Sequence, residues 1–219
     1  VGLGAWLTTF CVDPGNLLDA SGNPLPVPRS WADLGNPVYE GRIAMPGPYA
    51  SGTGAMVVSS LIQMSQFGEP DAWAYMDRLH ENVAHYTRAG DEPCKLVADG
   101  RIGVGIGANI CAADSRFQER VLVYPVEGAG WEMDAVALVR KDRIDRSALE
   151  FVAWAIGEQA METYAEFRPV LSLEGFVPAQ PCAPGFGEIE IVPDRFLWTS
   201  ANLARFTEEW QSRYGDESE

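Results

Sequence analysis

The sequence has 219 residues, 47% of them hydrophobic and 21% charged, with a formal net charge of −15. This is globular composition, so a packed core is expected and general disorder is not. A surface this acidic repels phosphate backbones and argues against nucleic acid as a partner.

The opening residues, Gly2 to Val12, read as a strand rich in β-formers that ends at Asp13-Pro14-Gly15-Asn16. Because the chain opens at Val1 in what reads as a strand, without Met or a signal-peptide pattern, it is expected to be an internal piece of a longer protein. Residues 13–29 are rich in Pro, Gly and Asn and form a loop; Ser30 caps a short helical turn, Trp31-Ala32-Asp33-Leu34. Gly41 to Met45 is a short strand that stops at Pro46. Apolar residues at helical spacing (Met56, Val57, Leu61, Met64) predict a helix over 54–67, with Gly68 just past its end. A second helix runs from Asp71 to about Val83, and a third, short one covers Pro93–Ala98.

Strands follow at 102–106, 121–125 and 133–139, the last reading as buried. One long amphipathic helix is predicted over Ser147–Glu166, with Leu149, Val152, Ala153, Ile156, Ala160 and Tyr164 inward. Residues 168–187 are loop, Glu188–Val192 a short strand, and Thr199–Tyr214 a closing helix with Leu203, Phe206 and Trp210 on one face. Strands alternating with helices make the fold α/β. No apolar run reaches membrane-spanning length, so direct membrane insertion is not expected.

Three segments carry candidate chemistry. Ser51-Gly52-Thr53-Gly54 opens a helix, where free N–H donors and the positive dipole end make a cradle for phosphate, phosphonate or carboxylate. The alternative is that Ser51 or Thr53 merely caps the helix. It is not a Walker loop, since no GKS or GKT follows. The stretch from Tyr86 to Lys95, including Thr87 and Gly90, reads as a loop ending at another helix N-terminus: a second set of donors, or an ordinary polar loop. Gly128 to Asp134 places Trp131 between Gly130 and Glu132 and brings two carboxylates together; these accept from an ammonium or from hydroxyls, or else form a solvated turn. No Ser-His-Asp order, GxSxG elbow or paired-carboxylate spacing points to catalysis. Four cysteines occur (Cys11, Cys94, Cys111, Cys182) with no CxxC pair, so zinc is not expected, and the count fits either two disulfides or four buried thiols.

In order along the chain, Pro28–Leu34, Tyr39–Pro46, Ser51–Gly54, Asn82–Thr87, Lys95–Gly100, Val104–Ile106, Gly130–Leu138 and the closing Glu209-Trp210 resemble type 2 periplasmic solute-binding proteins of ABC importers. The similarity is to their ferric-ion, 2-aminoethylphosphonate and sugar-phosphate branch. It implies a mixed sheet flanked by helices, within a two-lobed clamshell that binds ligand between lobes. Residues 1–134 would be mainly the second lobe, 135–185 a segment returning to the first, and 186–219 a strand and helix packing back. Much of the first lobe would lie outside this chain.

The resemblance further implies a binding component, not an enzyme, that captures a small anionic organic solute such as a phosphonate or phosphate ester. It would hand the solute to an ABC permease from a periplasmic or extracytoplasmic position, secreted or lipid-anchored, with no cofactor. Ser51, Gly52, Thr53 and Gly54 would hold the anion, supported by Thr87, Gly90 and Lys95, while Asn109, Trp131 and Glu132 read the other end. Cys94 and Cys111 would pair near the cleft, leaving Cys11 and Cys182. Iron-binding members carry adjacent tyrosines after the strand matching 102–106; Gly107–Cys111 has none, and ferric-ion binding stands as an alternative beside the anion. A non-transport enzyme on the same fold, using Cys94 or Glu132, is the other alternative.

Overall fold

The computed structural model describes residues 1–64, 68–109, 120–166, 168, 170–173, 175, 189–193 and 195–215. Its organising element is β1 (Gly2–Val12), eleven residues long and buried along most of its length. β1 changes partners midway. Its second half pairs antiparallel with β4 (Val104–Ala108), Thr8 opposite Ala108, and with β5 (Val121–Val123). Its first half pairs antiparallel with β6 (Trp131–Ala135), Leu7 opposite Trp131, and with β7 (Val170–Leu171). β2 (Ile43–Pro46) runs parallel to both β4 and β3 (Val83–Thr87), so the main path through the sheet is β3-β2-β4-β1-β5.

Helices cover both faces. On one face, α1 (Trp31–Leu34), α2 (Gly52–Gln63), α3 (Gly68–His80) and α7 (Phe196–Tyr214) build the larger core with Phe10, Trp31, Val57, Leu61, Tyr75 and Trp210. On the other, α4 (Glu92–Ala98) packs Leu96 and Val97 against Cys11 and Ala44. Parallel strands joined by helices need both faces covered, as here. α7 is pinned by Arg205 to Glu69, by Arg213 to Asp77, and by the Tyr214 hydroxyl, which donates to Asp77 at 2.6 Å. Burial and that bond to a carboxylate push the Tyr214 phenol well above its ordinary range.

α1 shows how local sequence sets a helix start. Ser30 Oγ accepts the Asp33 N–H at 2.9 Å, and the Asp33 carboxylate accepts the Ser30 N–H at 3.1 Å, completing a capping box. The two remaining first-turn donors, Trp31 N and Ala32 N, go to the Glu127 carboxylate at 2.9 and 3.0 Å. Glu127→Ala is expected to lower stability by about 1–3 kcal/mol, since both donors lose a charged acceptor. Urea unfolding measures this, and an unchanged midpoint would show that water replaces the carboxylate.

Several expectations are corrected. The expected loop 168–187 contains β7, and of the expected strand Glu188–Val192 the described residues form only an isolated bridge, Ile191 to Ala129. Residues 82–87, read as the end of a helix and a loop, contain the edge strand β3. Helix 147–166 is two helices, α5 (Arg146–Ala155) and α6 (Glu158–Ala165), broken at Gly157, which caps α6. Of its expected inward residues only Ala160 is buried, and Leu149 is 48% exposed. The strand at 133–139 is β6, shifted to Trp131–Ala135, and it is not buried: Met133 is 47% and Val139 73% exposed. The disulfide joins Cys94 to Cys11, not to Cys111, which excludes both expected pairings; Cys111 and Cys182 lie outside the described residues. The reason is topological. β1 lies antiparallel beside β4 with Cys11 opposite Gly105, and a Cβ on Gly105 would stand 2.6 Å from the Pro93 carbonyl oxygen. The start of α4 therefore rests on β4 at the point where Cys11 faces it.

Candidate functional site

Where β2 and β3 end, chain segments distant in sequence meet. Gly47 donates its N–H to the Thr87 carbonyl at 2.9 Å, and the chain turns into α2. Ser51 is the N-cap, its hydroxyl accepting the Gly54 N–H at 3.4 Å, so the capping role is realised. Capping does not exhaust the helix start. The N–H groups of Gly52 and Thr53 have no acceptor within the helix, and they lie at its positive end. Gly52 is exposed and Thr53 half-buried. Gly54 is required here, because a Cβ would stand 2.5 Å from the Pro46 carbonyl oxygen.

The loop after β3 reaches the same place. Thr87 is buried, and its hydroxyl donates to the Ala89 carbonyl at 3.1 Å. A Cβ on Gly90 would fall 2.1 Å from Thr53 Oγ1, so this loop lies hard against the first turn of α2. The third segment arrives from β6: a Cβ on Gly52 would be 4.0 Å from Glu132 Oε2. Ser51–Gly54, Gly90 and Glu132 are thus brought together. An open groove lined by Tyr49, Ser51, Gly52 and Leu203 runs on from the cradle between α2 and α7.

The other predicted residues are placed differently. Asn109 is fully buried; its Oδ1 accepts the Leu7 N–H at 3.1 Å, and its Nδ2 donates to the Tyr124 hydroxyl at 3.3 Å. Trp131 donates its indole N–H to the Val192 carbonyl at 3.1 Å and meets Phe196 edge-on. Lys95 is exposed on α4 and paired with Asp91 at 2.6 Å, one helical turn back.

Sequence reasoning missed the framework behind Glu132. Trp6 lies opposite Glu132 in the β1–β6 register, and its indole N–H donates to Asp134 Oδ2 at 2.9 Å. Arg168 also donates to Asp134, through Nε at 2.8 Å, and its guanidinium lies over the rings of Trp6 and Tyr164. These contacts hold β6 beside β1. The alternation of Glu132 and Asp134 was a usable signal, but nothing in the Pro/Gly-rich surroundings of Arg168 pointed to it.

Cys94 is disulfide-bonded and cannot serve as a thiolate nucleophile in this state. Among the described residues, no group of three or more His, Cys, Asp or Glu is placed to hold a metal ion. No described helix is long and apolar enough to cross a membrane.

The sequence profile of the bacterial extracellular solute-binding protein family matches residues 18–184. An uncharacterized protein of Haemophilus influenzae is 31% identical over 138 residues, 62% of this chain; the match spans 39% of that relative's length. Among solved structures, the periplasmic binding protein AfuA from Actinobacillus pleuropneumoniae, with exogenous fructose-6-phosphate bound, superposes with a TM-score of 0.84 at 24% identity. The superposition covers 96% of this chain and 67% of AfuA. The periplasmic binding protein P5PA gives 0.80 at 22% identity, with the same coverages of 96% and 67%. The Mannheimia haemolytica ferric iron-binding protein A, in an open conformation, gives 0.68 at 16% identity, covering 100% of this chain and 70% of that one. At these identities the structural likeness is one of fold.

Proposed function

This chain belongs to the bacterial extracellular solute-binding protein family, and we propose that it captures a small phosphate ester or phosphonate for an ABC importer. The observation that carries this reading is the convergence of free first-turn donors on α2 with a carboxylate, Glu132, about one side chain away. The donors suit an anionic, acceptor-rich group. The carboxylate repels a bare anion but accepts from hydroxyl or ammonium groups placed beside one. Together they favour an anion that carries donors on its organic part over inorganic phosphate. The fold shared with a fructose-6-phosphate-bound binding protein supports the same class.

The lobe arrangement is part of the proposal. Residues 1–134 form most of the second lobe, 135–185 return toward the first, and 186–219 pack back on the second. The exposed apolar residues Val139, Leu149, Phe151 and Trp154 are then the seat of further chain. Ligand is held between lobes, in a periplasmic setting, and passed to a membrane permease.

The test is titration calorimetry with fructose 6-phosphate, 2-aminoethylphosphonate and inorganic phosphate. One of the organic ligands is expected to bind at least about tenfold more tightly than inorganic phosphate, a difference of about 1.4 kcal/mol. Glu132→Gln is expected to erase that preference while leaving inorganic phosphate binding unchanged or stronger. Equal affinity for all three, or a preference that survives Glu132→Gln, would sink the reading.

A further inference from the structure

Cys11 and Cys94 are 83 residues apart in sequence, and both are buried, at 0% and 1% exposure. Their bond lies beneath the loop that reaches the α2 start. α4 begins at Glu92, two residues after Gly90, and Cys94 sits in its first turn. A Cβ on Gly107 of β4 would stand 2.9 Å from the Gly90 carbonyl oxygen and 3.1 Å from Cys94 Sγ. Cys11 faces the neighbouring Gly105 across the β1–β4 register. The contacts therefore run in series from β1 through the disulfide to the start of α4, then to Gly90, then to Thr53.

The surface that β4 offers to this helix start is glycine backbone, which lets the helix come close but gives no side chain to lock it sideways. On the outer side, Asp91 and Lys95 form an ion pair whose side chains are 35% and 52% exposed. Exposed pairs of this kind contribute little. β4 also reaches the loop directly, through the Ala108 N–H, which donates to the Gly90 carbonyl at a long 3.4 Å; the disulfide is the covalent tie between the helix start and the centre of the sheet.

We propose that the Cys11–Cys94 disulfide is a positioning device that holds Gly90 against Thr53 and so sets the affinity of the anion cradle. The consequence for affinity rests on the function proposed above; the consequence for the loop does not. Reduction by a dithiol is balanced. One thiolate attacks a sulfur of the bond to give a mixed disulfide, and the second displaces it. Two electrons and two protons end on Cys11 and Cys94 as thiols, and the reagent leaves as its own disulfide.

Three measurements test this on the full chain. Amide hydrogen exchange compares the oxidised protein with the reduced protein and with the double variant Cys11→Ala/Cys94→Ala. Faster exchange confined to residues 89–95 and 51–54, with α3 and α7 unchanged, is the expected result. Acceleration spread over the whole molecule, or none at all, would overturn the proposal and leave the bond as a general staple. Inorganic phosphate, the probe ligand, is expected to bind the oxidised form about tenfold more tightly than the reduced form. By linkage, saturating phosphate then lowers the reduction potential of the bond by about 30 mV, a shift that a purely structural bond would not show. Equal phosphate affinities in both redox states overturn the control of affinity. Local loosening, in a protein whose two forms both fail to bind inorganic phosphate, fructose 6-phosphate and 2-aminoethylphosphonate, supports the positioning of the loop and defeats the anion reading of the site instead.

Discussion

Trp31→Ala is expected to destabilise the protein by about 3–5 kcal/mol, the range for removing a large aromatic side chain from a core. Trp31 is completely buried and meets Phe10 edge-on, with ring centroids 4.9 Å apart. Its indole N–H donates to the Gly128 carbonyl at 3.1 Å, so truncation leaves a cavity and also a buried carbonyl without its donor. The residue's own carbonyl accepts from the Tyr75 hydroxyl at 2.6 Å, tying α1 to α3. Burial, reinforced by the nearby Glu127 carboxylate, pushes the Tyr75 phenol well above its usual range, so the hydroxyl stays a donor across the physiological pH span. Urea unfolding measures the loss. Trp154→Ala is the control: Trp154 is 44% exposed, and its removal is expected to cost less than about 1 kcal/mol. Equal losses for the two tryptophans would show that the core is not centred where the structure places it.

On the function proposed above, Gly90→Val is expected to weaken binding of the phosphate ester or phosphonate by about 10- to 100-fold, or about 1.4–2.7 kcal/mol. The added atoms must enter space held by Thr53, whose Cβ would be 2.6 Å from the new Cβ. A threonine Cβ is tied directly to the backbone of α2, so it has no flexible stem with which to yield. Either the loop or the helix start must move, and the first-turn donors of α2 are displaced. Thermal unfolding run beside the calorimetry separates the effects: overpacking costs about 1–3 kcal/mol of stability, but a folded variant is expected to have lost affinity. A stable Gly90→Val protein with undiminished affinity would remove the loop from the site.

Much of the order of elements was legible, and the reasons differ by element. β1 was readable because it is central and apolar on both faces, and α1 because Ser30 and Asp33 stand at capping-box spacing. β3 was not, because it is an edge strand: Ala84 and His85 are exposed, so it lacks the alternation that marks a half-buried strand. The break at Gly157 was hidden by an apolar periodicity that runs through it, and the exposure of Leu149 and Phe151 by the fact that periodicity records which face is apolar, not whether anything covers it. For the site, Ser51–Gly54 was visible as a glycine-rich helix start. Its nearness to Glu132 came from resemblance, since no local pattern relates positions 52 and 132. The disulfide partner was misassigned because the expectation followed the chain from α4 into β4, whereas the nearest thiol comes from a strand 83 residues earlier, inserted alongside.

The position of β1 in the sheet also bears on how the molecule forms. β1 precedes every described strand that pairs with it: Thr8 waits for Ala108, Phe10 for Val123, Trp6 for Glu132 and Ala5 for Val170. None of its ladder bonds can close locally, so the loop-closure entropy of about a hundred residues must be met before the central strand gains a partner. Until then an apolar eleven-residue segment lacks all of its described partners. Folding of this chain is accordingly expected to be slow relative to helical proteins of its size, with the greatest exposure to aggregation before β4 docks, not after.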